Sequence, residues 1–156
     1  MHPTHKTLCE NIRTQSVELL NRRLAAAVDL HGQLKQAQWN VRGPSFIGVH
    51  ALFDKVAREA DDYSDLIAER AAGLGGVAEG TVQVASERSF LIPYPLRIAD
   101  ENQHIFAVAT TLGQSTRDAI GQSETVGDAD TTDRFAGISR GVDHQLRLVE
   151  SHVAPK

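Results

Sequence analysis

The chain is 156 residues long with a formal charge of −4, enough for one domain with a real core and too acidic for a generally basic nucleic-acid surface. Aromatics make up 5% of it, alanine and leucine are plentiful, and β-branched runs are short, so the composition predicts an all-α fold. The single Cys9 excludes an internal disulfide and suits a reducing, cytoplasmic compartment. No apolar run approaches a membrane span, and MHPTHKTLC lacks a leader-peptide pattern.

Residues 1–8 read as a short polar arm on a single domain, 1–156. The first predicted helix runs from about Leu8 to Trp39, with Ile12, Val17, Leu20, Leu24, Ala27 and Leu34 on its apolar side. Gly43–Pro44 cannot continue it, and Ser45 is placed to cap the next helix. That second helix carries apolar residues at Phe46, Val49, Phe53, Val56, Ala60, Tyr63 and Ile67 and ends at the glycines of GLGG, residues 73–76. The linker Val77 to Pro95 contains TVQVASE, expected as a short helix, and then a rigid IPYP turn. A third helix is predicted over about Leu96 to Gly121, with Ile98, Ile105, Val108 and Leu112 on one face. The polar loop SETVGDADTTD follows, and a fourth helix runs from about Thr131 to His152. Four antiparallel helices with one longer crossover make a bundle.

The second helix carries the chemistry. His50 with Asp54, and Asp65 with Glu69, are pairs of metal-ligand types one turn apart. The pairs are offset by three turns plus about 20°, so all four fall within an arc of about 100°, roughly opposite the apolar stripe. Asp54 and Asp65 are nevertheless about 16 Å apart along the axis. Metal bonds of about 2.0–2.6 Å cannot close one site with both pairs on one helix. Two copies packed antiparallel about a twofold axis between Glu59 and Ala60 would bring His50/Asp54 of one chain to Asp65/Glu69 of the other. The alternative from spacing alone is a solvated acidic face, continued by Glu59, Asp61 and Asp62.

The run KQAQWNVRGPSFIGVHALFD, then DLIAERAAGLGG and VASERSFLIPYP, resembles the signature of the Dps family, the miniferritins or DNA-binding proteins from starved cells. The resemblance covers nearly the whole chain. It implies a ferritin-like four-helix bundle with a short helix in the crossover between helices 2 and 3, assembled as a hollow dodecamer. It also implies an iron-sequestering ferroxidase centre at a twofold interface. Its ligands correspond to Gln38, His50 and Asp54 from one subunit and Asp65 and Glu69 from the other. The family usually has histidine where this chain has Gln38. A glutamine amide nitrogen has no free lone pair, so Gln38 either coordinates weakly through its carbonyl oxygen or holds a water. The implied reaction takes Fe(II) to Fe(III) with hydrogen peroxide or dioxygen and stores the ferric mineral, protecting DNA and the cell.

Other residues carry two readings. Trp39 is expected to pack in the core with its N–H satisfied and, by the resemblance, to stand beside the centre as an electron donor, two readings that do not exclude each other. His31 lies on the Gln38 face as an outer-shell candidate, and His144 sits on the last helix. Glu124, Asp128, Asp130 and Asp133 read as a solvated turn, or by the resemblance as the lining of threefold pores that admit ferrous ions. His2, His5 and Cys9 form an unremarkable set on an arm expected to be mobile. In the family, lysine-rich tails serve DNA binding. Here the arm has Lys6 alone and HVAPK ends in one lysine, so a DNA-compacting shell with a crippled metal site stands second.

Overall fold

The computed structural model describes residues 1–153, so Lys156 of the predicted tail lies outside it. Among the described residues the helices are α1 (Glu10–Asn40), α2 (Phe46–Gly73), α3 (Val82–Arg88), α4 (Glu101–Ser115), α5 (Ala119–Val126) and α6 (Ala129–Glu150). There is no strand among them, only an isolated parallel bridge between Arg42 and Asp100. None of the described helices is long and apolar enough to cross a membrane.

Helices α1 and α2 form the long hairpin expected from the Gly43–Pro44 break, while α4 and α6 pack on each other and on that hairpin. The core lies between them. Leu20, Leu34, Phe53, Leu74 and Leu112 are fully buried, and such side chains each contribute about 1.5–3 kcal/mol relative to exposure. α2 ends where Gly75 adopts φ 86, and Gly76 N–H donates to the Ala71 carbonyl at 3.0 Å, satisfying a carbonyl the helix leaves free.

Four details depart from the sequence expectation. Ser45 stands at the N-cap of α2, but its side chain makes no capping bond; instead its N–H donates to the Glu101 carboxylate at 3.0 Å. The third helix begins at Glu101, because residues 96–100 turn to let Arg42 N–H reach the Ala99 carbonyl at 2.9 Å. It also breaks after Ser115, where Asp118 takes a left-handed φ of 59 that aspartate tolerates better than most residues. The expected loop SETVGDADTTD is mostly helix: α5 ends at Gly127 with φ 86, and Asp128 immediately caps α6 by accepting from Thr131 N–H.

Polar residues facing inward from α1 fasten the crossover. Asn21 Nδ2 donates to the Val77 carbonyl while its Oδ1 accepts from Glu79 N–H, both at 2.9 Å. Ser89 donates to Asp29 at 2.6 Å, and Gln33 Nε2 donates to the Ile92 carbonyl at 3.1 Å. TVQVASE forms α3 as expected, with Thr81 capping it. The N-terminal arm, expected to be mobile, is docked on the end of α2: His2 N–H donates to the Gly75 carbonyl at 2.6 Å.

Candidate metal centre

The ligand face of α2 splits as its spacing implies. His50 and Asp54 sit near the α1–α2 hairpin and are half-buried, whereas Asp65 and Glu69 are exposed toward the far end of the helix. Among the described residues no three His, Cys, Asp or Glu side chains cluster closely enough to hold a metal.

Around the first pair the side chains are already engaged. Gln38, on the last turns of α1, is buried. Its carbonyl oxygen, the only Gln38 atom able to coordinate a cation, accepts from Lys35 Nζ. Lys35 Nζ also stands 3.4 Å from Asp54 Oδ1, and Arg58, one turn along α2, donates to Asp54 Oδ2. The hydrogen bond from Arg58, reinforced by the charges of Arg58 and Lys35, holds the Asp54 carboxyl below its ordinary value despite partial desolvation. A metal ion taking Asp54 must therefore displace two cationic groups. Lys35 and Arg58 went unread in the sequence, although both lie at helical-neighbour spacing, three and four residues from the positions they serve.

The remaining candidates are distributed as follows. His31 Nδ1 is 2.9 Å from the Ala57 carbonyl and 3.4 Å from Asp61, so it is tied to the backbone of α2 rather than to Gln38. His144 is exposed on α6. Trp39 is 69% exposed, which corrects the expectation that it packs in the core of its own subunit. Its ring lies 6.0 Å from Lys35 Nζ. Ile47 and Leu66, beside the two ligand pairs, are also exposed, at 84% and 41%. At the midpoint of the four ligands, Glu59 accepts from Gln145 Nε2, which also bonds Tyr63 Oη at 3.0 Å. Burial, with the nearby Glu59 charge, pushes the Tyr63 hydroxyl up to about 12.

In the acidic region, Glu124, Asp130 and Asp133 are exposed but Asp128 is not. Its side chain is 1% exposed and accepts from Arg70 Nη2 at 2.8 Å and from Thr131 Oγ1 at 2.5 Å. Burial alone would raise the Asp128 carboxyl, yet the bonds from Thr131 and Arg70 carry it below its ordinary value. This corrects the reading of Asp128 as a solvated carboxylate: it is the buried partner of Arg70, the residue after Glu69. A surface groove of about 760 Å³ between α4 and α6 carries none of the candidate ligands.

The helical bundle is that of a ferritin-like protein: the family model for the ferritin-like domain matches residues 17–154. The chain is 38% identical over 158 residues to the DNA protection during starvation protein of Agrobacterium fabrum, covering 99% of this chain and 98% of that one. The tetragonal form of Mycobacterium smegmatis Dps superposes with a TM-score of 0.91 at 27% identity, covering 98% of this chain and 95% of that one. Dps from Microbacterium arborescens in the high iron form gives a TM-score of 0.86 at 29% identity, covering 96% and 99%. The chain belongs to the Dps family.

Proposed function

We propose that the chain is the subunit of a hollow, cytoplasmic dodecamer that oxidises Fe(II) at sites shared between two subunits and stores the ferric product as mineral. The observation that carries this reading is the pair of ligand sets on one face of α2, too far apart to meet within a chain and flanked by exposed Trp39, Ile47 and Leu66. An apolar border around unfinished ligand sets is what a twofold contact would cover. One imidazole and three carboxylates form a hard donor set suited to Fe(II) and to its oxidised product. His50 supplies the nitrogen, and Asp54, Asp65 and Glu69 supply the negative charge that offsets the extra positive charge of Fe(III). Each ferrous ion gives up one electron to peroxide or dioxygen. Trp39, beside Lys35, would donate a further electron when the oxidant demands more than the bound iron provides. The relatives' shared name speaks of DNA protection, which this reading meets by removing ferrous iron and peroxide together. The direct test is anaerobic Fe(II) titration of the assembled protein, followed by peroxide or oxygen in separate runs. Saturation at two dimer-interface sites with prompt oxidation is expected, and an absence of saturable Fe(II) binding would sink the proposal.

Gln38 gives this chain its own signature within that reaction. Gln38 has no nitrogen lone pair to offer and Lys35 occupies its carbonyl, so the iron nearest His50 would lack the second nitrogen that the family usually supplies. Gln38→His is expected to tighten Fe(II) binding on the order of tenfold and to speed oxidation. Calorimetry and stopped-flow absorbance on the same preparation read both quantities. An unchanged affinity would mean that the Gln38 position lies outside the coordination sphere.

For the uptake route, Glu124, Asp130 and Asp133 remain the surface carboxylates that threefold packing would gather. Asp130→Asn with Asp133→Asn is expected to slow Fe(II) uptake roughly tenfold at low ionic strength and far less in high salt, since steering is screened. Equilibrium binding at the centre should stay the same. Stopped-flow uptake across a salt series decides it. Rates indifferent to the double change would return these residues to an ordinary surface role.

A further inference from the structure

A second concentration of charge lies away from the ligand face of α2 and does not depend on the metal reading. Where α1, the crossover and the α4–α5 break meet, a pocket of about 230 Å³ is lined by Arg22, Arg23, Phe90, Arg117, Asp118 and Gln122. Three arginines against one aspartate give this lining a formal charge of +2, inside a chain whose total is −4.

Arg23 is the unusual member. Its side chain is 5% exposed, and its guanidinium lies 4.8 Å from the centroid of the Phe90 ring. Nη2 donates to Gln122 Oε1 at 3.0 Å, but Nε and Nη1 are buried without any hydrogen-bond partner. An unpaired guanidinium held out of water carries the full desolvation cost of its unmade bonds. Burial first, then repulsion from Arg22, lowers the proton affinity of Arg23 below its ordinary value, and Asp118 offsets this only in part. Arg23 also lines a second, small void of about 30 Å³, room for about one water. A water there would satisfy an N–H group and leave the excess charge in place.

The backbone at this pocket adds to the same sign. Asp118 stands at the N-cap of α5 in the left-handed conformation, and its side chain makes no capping bond. Asp118 therefore brings the positive end of the α5 dipole to the edge of the pocket. A buried cation short of partners and two exposed arginines converge on one small cavity. It is below the roughly 300–1,000 Å³ of a typical organic-ligand site.

We propose that this pocket is an anion site, one per subunit, for a small multiply charged oxyanion of the phosphate class, held by Arg22, Arg23 and Arg117 at the start of α5. Charge-assisted bonds from guanidinium to phosphate oxygens are the strong kind, and two exposed arginines give the ion a path in and out.

The test is calorimetric titration of inorganic phosphate into the assembled, iron-free protein at constant ionic strength, with chloride as the control. Saturable binding of one phosphate per subunit is expected, with no comparable heat from chloride. Arg117→Gln and Arg22→Gln, both at exposed positions, should fold normally and each weaken binding about tenfold. Arg23→Met should abolish it, while the thermal midpoint without phosphate holds or rises because an unpaired buried charge is gone. The midpoint gained by wild type on adding phosphate should vanish in that variant. No saturable heat, or equal phosphate affinity in all four proteins, overturns the proposal. So does an assembly defect in Arg117→Gln without phosphate binding in wild type, which would mean that a carboxylate from a second subunit fills the pocket. Displacement of phosphate by a short DNA duplex, with the same dependence on Arg117, would also overturn it in favour of a nucleic-acid backbone contact.

Discussion

Replacing Arg70 by methionine is expected to destabilise the folded subunit by about 3–5 kcal/mol, the usual cost of removing one partner of a buried ion pair. The variant leaves the Asp128 carboxylate, 1% exposed, without its charged partner. It also removes the donor to Thr131 Oγ1 at 3.1 Å, loosening the first turn of α6. Asp128→Ala should be comparably harmful, because it strands the guanidinium and takes away the N-cap of α6. A double variant with apolar replacements at both positions should lose less than the sum, and that non-additivity identifies a pair rather than two separate contributions. Denaturant unfolding at a fixed subunit concentration measures all three. Single variants within about 1 kcal/mol of wild type would show that the pair carries little of the stability. The pH dependence has a definite sign. The Asp128 carboxyl is depressed in the folded state, so its contribution is complete above the ordinary carboxylate range and is lost as acid protonates it through its lowered folded value.

Mixing two inactive variants should restore activity. His50→Ala breaks every proposed site in its own assembly, and so does Asp65→Ala, with losses of a hundredfold or more expected in each where a ligand is removed outright. In a mixed dimer, one site combines both lesions. The other draws His50 and Asp54 from the Asp65→Ala chain, and Asp65 and Glu69 from the His50→Ala chain, and is whole. Random reassembly from equal amounts makes half the dimers mixed, each with one intact site of two, so roughly a quarter of wild-type oxidation should return. Placing both substitutions in one chain and mixing it with itself is the control and should recover nothing. If the mixture also recovered nothing while reassembly was verified by mass, the shared-site geometry would be wrong.

How far the sequence could be read follows the range of the interactions. The α1–α2 hairpin was legible because the break at Gly43–Pro44 and the apolar spacing of α2 are local signals. The ends of the third helix were not. What stops α4 from starting at Leu96 is the bridge from Arg42, more than fifty residues away in sequence. The break after Ser115 rests on Asp118 tolerating a conformation most residues resist. Asp128 was misread for a similar reason. On the page it belongs to a polar acidic run, and only the fold brings it under Arg70, 58 residues earlier. Trp39 fails in the other direction: the fold leaves it 69% exposed, which no property of a lone tryptophan reveals. The spacing of His50, Asp54, Asp65 and Glu69 remained the most informative pattern, because helix geometry alone separates the two pairs. The engagement of Gln38 and Asp54 by Lys35 needed the hairpin to be closed first.

The fastening of the crossover bears on how the bundle comes apart. From Val77 to Ser89 its bonds land on α1, through Asn21, Asp29 and the contact of Arg88 with Glu18 at 2.5 Å. Farther on the allegiance changes. Ile92 N–H donates to Gln114 at 3.2 Å, and Tyr94 Oη pairs with buried His104 at 2.7 Å, both on α4. The strap therefore passes from α1 to α4 across Ile92, whose carbonyl still accepts from Gln33 of α1 at 3.1 Å. In slow amide-hydrogen exchange, α3 should share its opening energy with α1, whereas the IPYP segment should follow α4. A fluctuation that parts those helices would stretch the chain at that junction, leaving it the weakest seam for a protease to find.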